Sequence, residues 1–302
     1  MEGLTFARLL LTSHEAAVFH PHIKALSTPV LKAVGDNYYK ITAEALRVTS
    51  HLVTVIRPHN GAASQFDHKP YAQKIYDSTF EKYNAQDIDQ EVKESAITCM
   101  GLTVAHLGDG LSADSLKKAL DILLQRLSNE ITRLTSVNAL IEIANSPLKV
   151  DIRAILPEAL TELAAFLRQA NRQLKQASLR ALAVLVKSYG ADIKSQQYEA
   201  VLNESVNLIS DVDLHLTHLA LRLLETVISV DKDSINVVQA KLYPHILALV
   251  QSPVLQGLAL ESLLALYSAL VAADHKKFGF QELLDSLLGL SLKASQTTKQ
   301  SQ

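Results

Sequence analysis

Apolar side chains along this chain recur with the spacing of one helix face. Over 152–168 they fall at Ile155, Leu156, Leu160, Leu163 and Leu167; over 172–189 at Leu174, Leu179, Leu182, Leu185 and Val186. Steps of three and four residues put such positions on one stripe of an α-helix, with polar residues filling the rest of its surface. The same reading along the chain predicts a first set of helices near 21–34, 70–84, 112–128, 152–168, 195–209 and 236–250. A second set is expected near 37–57, 90–107, 130–144, 172–189, 214–229 and 253–272. A last helix at 277–290 opens a seventh pair. Breakers fall between the elements at Pro58, Gly61, Gly108, Gly110, Pro147 and Gly190. No segment alternates as a strand or hairpin does.

At the start of each second helix a pattern repeats six times: Asp, Asn or Ser, a bulky residue three positions on, usually Lys or Arg at the next, and Ala or Ser seven positions from the start. It begins at Asp36, Asp89, Asn129, Asn171, Asp213 and Ser252, so successive starts lie 53, 40, 42, 42 and 39 residues apart. A period near 40 marks a helical solenoid of the HEAT or armadillo type. Asp, Asn and Ser accept backbone N–H bonds at helix starts, so Asp89, Asn129, Asn171 and Asp213 are expected to cap second helices. The small residue two turns in allows close approach of neighbouring helices. The fold class expected is all-α: a right-handed superhelix of antiparallel helix pairs, with 1–293 forming one repeat segment and 294–302 a polar, disordered tail.

The first spacing exceeds the others by roughly 12 residues, which a surface loop over 58–70 accommodates. Pro58, Gly61 and Pro70 keep helix out of that stretch. Residues 2–14 carry Leu4, Phe6, Leu9 and Leu10 and read as half a repeat, which needs a neighbour to cover its apolar face. The chain is therefore expected to be a piece of a longer superhelix.

Composition narrows the partners. The formal charge of −2 over 302 residues gives no electrostatic reason to expect nucleic acid. One cysteine excludes an internal disulfide framework and fits a reducing compartment. Glu2 and Arg8 inside the apolar N-terminal stretch argue against a signal peptide, and Glu261 breaks the most apolar helix, so no membrane segment is expected. A soluble intracellular protein is the resulting expectation.

Candidate chemistry reduces to structural roles. Cys99 lies among Ala96, Met100 and Val104 and reads as a buried thiol, since a reactive one needs a polar, thiolate-stabilising setting. His20 and His22 flank Pro21 at the beginning of a helix, and His215 and His218 share a face without a third metal ligand. The segment Leu107-Gly108-Asp109-Gly110-Leu111 follows a helix, not a strand, and reads as a helix stop plus turn. Asp87-Ile88-Asp89-Gln90-Glu91 lacks calcium-loop spacing, and helix capping accounts for it. Lys40, Lys93, Arg133 and Lys175 recur at one repeat position. They form either a basic ridge for an acidic partner or, the favoured reading, a ladder bonded to neighbouring turns, for which Asp87 is one candidate acceptor. No catalytic, cofactor-binding or metal-ligating residue is assigned, no cofactor is expected, and the chain is read as a non-enzyme.

Several stretches are similar, in order, to a known family. Phe19-His20-Pro21-His22-Ile23, Tyr39-Lys40-Ile41-Thr42, Asp87-Ile88-Asp89-Gln90-Glu91-Val92-Lys93-Glu94, Asn129-Glu130-Ile131-Thr132-Arg133-Leu134-Thr135 and Ser146-Pro147-Leu148-Lys149 resemble the middle of the cullin-associated NEDD8-dissociated proteins. These HEAT-repeat regulators are also described as TATA-binding-protein-interacting proteins. The resemblance implies a scaffold that wraps unmodified cullin–RING ubiquitin ligases, obstructs NEDD8 conjugation and promotes exchange of substrate receptors. It implies that this chain corresponds to an arch between two partner-gripping ends, with a cullin and its RING subunit as partners and no nucleic acid, membrane or small-molecule substrate. The other readings are a helical-repeat transport receptor or phosphatase scaffold and, from a different class, a helical hydrolase or metal enzyme.

Overall fold

A computed structural model of the chain describes residues 1–59, 66–273, 275–276 and 278–289. All regular secondary structure among the described residues is helical, with no strand among them. They divide into two compact units, Met1–Ala159 and Leu160–Gln302.

In the first unit, helices of the first set are α2 (Ile23–Val34), α4 (Lys69–Asn84) and α6 (Ala113–Ser128). Those of the second set are α3 (Tyr39–Ile56), α5 (Gln90–Leu107) and α7 (Arg133–Asn145), with α1 (Glu2–Ser13) placed beside α3. Helix α3 packs between α1 and α5, and α5 between α3 and α7, so these four make one layer. α2, α4 and α6 make the other, and short turns join each first helix to its second. Between the layers lies a core that includes Ile23, Leu46, Leu52, Ile56, Ile75 and Leu107. Each such side chain contributes about 1.5–3 kcal/mol by leaving water. On α1, Leu11 is buried while Phe6 and Leu9 point outward at 62% and 56% exposure, so the expected half repeat covers its apolar surface on one side only.

Helix α8 (Leu156–Phe166) spans the division between units. The second unit contains α9 (Arg172–Tyr189), α10 (Ser195–Ser205), α11 (Leu214–Val230), α12 (Tyr243–Val250) and α13 (Gly257–Ala272). α11 packs between α9 and α13, repeating the second-helix layering of the first unit. Residues 280–289 form the seventh-pair helix within the described range. The stretch 60–65 of the expected loop and the tail 294–302 lie outside the described residues. Beside that stretch, Phe66 stacks on the His20 ring at 4.6 Å between centroids.

The small repeat positions do what close packing requires: Ala43, Ala96, Ser136, Ser178, Ala220 and Ala259 are all buried. Helices α5 and α7 approach closely at Gly101, where an added Cβ would lie 2.7 Å from the Ala139 Cβ. Three expected cap positions hold. Asp89 accepts from the Glu91 N–H, Asn171 from Leu174, and Asp213 from both His215 and Leu216.

Other boundaries need correction. Asn129 accepts from the Ile131 N–H at 3.0 Å and so closes a side-chain turn; α7 begins only at Arg133. Asp36 does the same with Tyr38 at 2.8 Å, delaying α3 to Tyr39. Ser252 donates to Asp211 at 2.7 Å and precedes Pro253, which disfavours helical backbone at Ser252. Gly257, with φ of +57°, then sets the start of α13. The helix expected over 152–168 begins at Leu156 because Pro157 fits only a first turn. The one expected over 236–250 contains a π-helical stretch, Val238–Leu242, ahead of Pro244, whose missing N–H and bulky ring interrupt regular α-helical bonding.

Candidate interaction surface

Charges alternate along the outer edge of the second-helix layer in the first unit. Arg8 of α1 donates through Nε to Glu44 Oε1 of α3 at 2.7 Å. Arg47, one turn further along α3, reaches Glu44 Oε2 at 3.4 Å and Glu91 Oε1 of α5 at 2.6 Å. The Glu44 side chain is only 4% exposed, so it is a buried carboxylate held between two guanidinium groups. Burial opposes the charge on Arg47, but its hydrogen bonds to Glu91 and Glu44 outweigh that and raise its pKa. This chain of pairs ties three successive helices in register. Individually, its exposed members contribute little, about 0–1 kcal/mol each.

Beside the network runs an open groove of about 350 Å³ lined by Arg47, Ser50 and His51 of α3, Glu91, Glu94 and Thr98 of α5, and Thr135 of α7, among others. Burial first, then the positive charge of Arg8, lower the His51 pKa and favour the neutral imidazole. The groove thus presents hydroxyls, carboxylates, an imidazole and a guanidinium to a partner. Such groups suit recognition of another polypeptide's polar surface.

The residues singled out from sequence separate cleanly. Cys99 is fully buried with its Sγ 3.5 Å from Thr79 Oγ1, and burial raises its pKa, so the thiol is held protonated. His20 bonds the Val55 carbonyl at 3.0 Å, and His22 is exposed. His218 Nδ1 lies 2.6 Å from Ser262 Oγ on α13, and its ring centroid is 6.0 Å from that of His215. No group of three potential metal-ligating side chains occurs among the described residues. Gly108–Gly110 form a 3-10 turn after α5, and Asp109 pairs with Arg57 at 2.6 Å.

The four recurrent cations do not form one device. Lys93 donates to the Gln86 carbonyl at 2.8 Å and Arg133 to the Ser128 carbonyl at 3.3 Å, so both close the turn before their own helix. Lys40 is exposed, 5.8 Å from the Tyr39 ring centroid, and Lys175 is half-buried. The candidate acceptor for the ladder, Asp87, gives way to a main-chain carbonyl. The final carbonyls of a helix lack intrahelical partners, so a donor from the next element is favoured there. Threonine fills that role elsewhere: Thr42 donates to the Asp36 carbonyl, Thr132 to Arg126 and Thr217 to Leu208.

Sequence reasoning missed two further arrangements. Arg126 of α6 is 3% exposed and donates to the Tyr83 and Ala85 carbonyls at 3.0 and 2.7 Å and to Gln86 Oε1 at 3.3 Å. It caps the C-terminal end of α4 with a buried positive charge, which the helix dipole favours. Its place among Ile122, Leu123 and Leu127 on the apolar stripe was the available signal. In the second unit Arg172 grips Asp213 through two bonds, at 2.5 and 3.1 Å. Arg172, together with the backbone N–H groups of α11, holds the Asp213 pKa down at about 2. Both residues occupy or adjoin repeat-start positions 42 residues apart, a coincidence legible only once the repeats are aligned.

Residues 1–100 match a family model described as CAND1-like, TPR repeats. Across 98% of its length, the chain is 48% identical to Cullin-associated NEDD8-dissociated protein 1 of Arabidopsis thaliana. The chain belongs to the family of cullin-associated NEDD8-dissociated proteins. It spans about a quarter of the length of the curated relatives it matches. Among solved structures, Kap121p bound to Pho4p covers 88% of this chain with a TM-score of 0.66 at 15% identity, the match taking in 25% of that structure. A computationally designed armadillo repeat protein covers 80% with a TM-score of 0.57 at 16% identity, with 98% of that structure matched. Those likenesses concern fold, and they agree with a HEAT/armadillo-type α-solenoid. Among the described residues, no helix is long and apolar enough to cross a membrane.

Proposed function

We propose that this chain is a non-enzymatic scaffold segment of a cullin–RING ubiquitin ligase assembly factor. The observation that carries the reading is the 48% identity over nearly the whole chain to a protein named for its association with cullins. The groove and charge network of the first unit support it, because they offer recognition groups over an open surface. In this reading 1–293 is one repeat array, with its register continuing in sequence from Asp36 to Ser252. It forms the connecting stretch between partner-gripping ends of a longer molecule. The partners are a cullin and its RING subunit, the outcome is receptor exchange and restraint of neddylation, and the site of action is the cytoplasm and nucleus. A transport-receptor role is not carried forward, since the likeness to Kap121p at 15% identity speaks to fold alone.

The test is capture of a purified, unmodified cullin–RING pair by this chain beside capture by a full-length relative. Retention by the relative and weaker or additive retention by the chain fits a connecting segment. Failure of the full-length relative to gain or lose cullin affinity when this segment is replaced by an unrelated solenoid of different repeat number contradicts it.

A further inference from the structure

Helix α9 has the highest net positive charge of the long helices among the described residues; α2, with Lys24 and Lys32 and likewise no carboxylate, comes next. Helix α9 carries Arg172, Lys175, Arg180 and Lys187 and no carboxylate, whereas its neighbour α11 carries Arg222 and Glu225, and α13 only Glu261. Arg172, Arg180 and Lys187 are exposed, while Leu174, Ala177, Ala181, Leu182 and Leu185 form the opposite, buried face. At about 100° per residue, positions 172, 180 and 187 fall within one quadrant of the helix surface. A rise of 1.5 Å per residue separates the first two by about 12 Å and the last two by about 10 Å. Arg172 is paired with Asp213 but remains accessible at its outer side. Arg180 spends only its Nε, on the Gln176 carbonyl at 3.3 Å. Among the described residues no carboxylate forms an ion pair with Lys175, Arg180 or Lys187. On α11, the exposed positions add His215 and Arg222, and Arg222 pairs with Glu225 at 2.6 Å.

We propose that the exposed face of α9 docks an extended, acidic segment of a partner protein, with carboxylates at intervals of four residues, which keeps them on one face of the strand. Each extended residue advances about 3.3 Å and alternate side chains share a face, so the same-face interval nearest to the cation spacings of about 12 and 10 Å is four residues, about 13 Å, with the flexible Arg and Lys side chains taking up the difference. Net charge decides between anionic partners. The chain as a whole is slightly acidic, at −2, which repels a polyanion or anionic membrane outside this one strip but tolerates a short peptide confined to it. Arg guanidinium groups pair carboxylates through two parallel bonds, which favours Arg172 and Arg180 as the anchors and Lys187 as a point charge. The inference concerns the strip alone and stands whether or not the partner is a cullin.

The experiment uses the full chain and a fluorescein-labelled, 12-residue peptide of Ser, Ala and Gln with Glu at positions 3, 7 and 11. Anisotropy is read at low and at physiological salt. The expected result is saturable binding, weakened at least tenfold in R180E/K187E and unchanged in K117E/K118E, whose lysines lie exposed on α6. A peptide with Gln at the three positions should bind at least tenfold less tightly. Thermal unfolding of both variants beside the native chain separates loss of docking from loss of fold. Equal binding by R180E/K187E and the native chain overturns the proposal. So does tighter, R180E/K187E-sensitive binding to duplex DNA or to phosphatidylserine vesicles than to the acidic peptide. If R180E/K187E unfolds, R180Q/K187Q replaces it with the same expectation of weakened binding, and unchanged affinity there is equally decisive against the strip.

Discussion

Replacing Arg126 by alanine should destabilise the first unit more than any surface charge change. The guanidinium is buried and satisfies two main-chain carbonyls, of Tyr83 and Ala85, at the end of α4. Its loss strands those acceptors, at about 1–3 kcal/mol each, and leaves a void where the side-chain stem packed. Water entering the void recovers part of this, and removing a buried charge refunds part of its desolvation. The expected net loss is about 2–5 kcal/mol. Arg126→Met keeps the stem volume and should recover the packing portion only. Arg126→Lys, with one compact ammonium in place of a planar fork, should fall between. The assay is hydrogen exchange by mass spectrometry over 79–90 and 115–128, supported by urea unfolding. Exchange suits a repeat protein, in which a single two-state transition need not hold. A loss below about 1 kcal/mol for Arg126→Ala, with no faster exchange near Tyr83, refutes the role of a buried cap.

Four further outcomes follow from the same geometry. Gly101→Ala should cost about 1–3 kcal/mol by overpacking against Ala139, measured by urea unfolding. Cys99 should resist thiol reagents at pH 8 in the folded chain and react after unfolding, because burial raises its pKa; rapid labelling of native protein contradicts this. Burial lowers the His106 pKa to about 4, below its ordinary 6.5, despite the Nδ1 hydrogen bond to the Arg57 carbonyl. The unfolded chain therefore binds the extra proton first, so this stabilisation is complete above pH 6.5 and is lost as pH falls towards 4, up to roughly 3 kcal/mol. Urea midpoints at pH 7 and 4.5 should converge less in native protein than in His106→Asn, and identical pH slopes would count against it. Asp213→Ala should cost about 0.5–2 kcal/mol as a lost helix cap, read by thermal unfolding.

Much of this architecture is visible in sequence because a helix stripe and a small residue at fixed offset answer to local rules. The stripes at Ile155–Leu167 and Leu174–Val186 are buried, and so are the six small positions. Helix starts were less legible. Asp36, Asn129 and Ser252 belong to the right residue types, but each bonds a nearby N–H or a distant carboxylate instead of opening a helix, and only neighbouring Pro253, Gly257 or Tyr38 backbone decides between those fates. The surface was harder still. Glu44 binds Arg8 from 36 residues away, and Arg47 binds Glu91 from 44, so their pairing depends on stacking across repeats. Arg126 stands out by its place on the apolar stripe of α6, but its acceptors emerge only once the end of α4 is placed against it. The threonine donors at Thr42, Thr132 and Thr217 occupy three different repeat offsets, which hides a shared role from any register-based reading.

The scaffold account is tested most directly in a full-length relative from which one repeat, equivalent to 172–212 here, has been deleted. Affinity is measured for an intact, unmodified cullin–RING complex and separately for its two halves. Solenoid geometry accumulates repeat by repeat, so the deletion displaces one end by roughly 10 Å while leaving each end folded. The account predicts normal affinity for each half and a loss of the avidity gained by joint engagement, commonly 10²–10⁴-fold in two-site systems, on the order of that range here. Undiminished affinity of the deletion protein for the intact complex would contradict it.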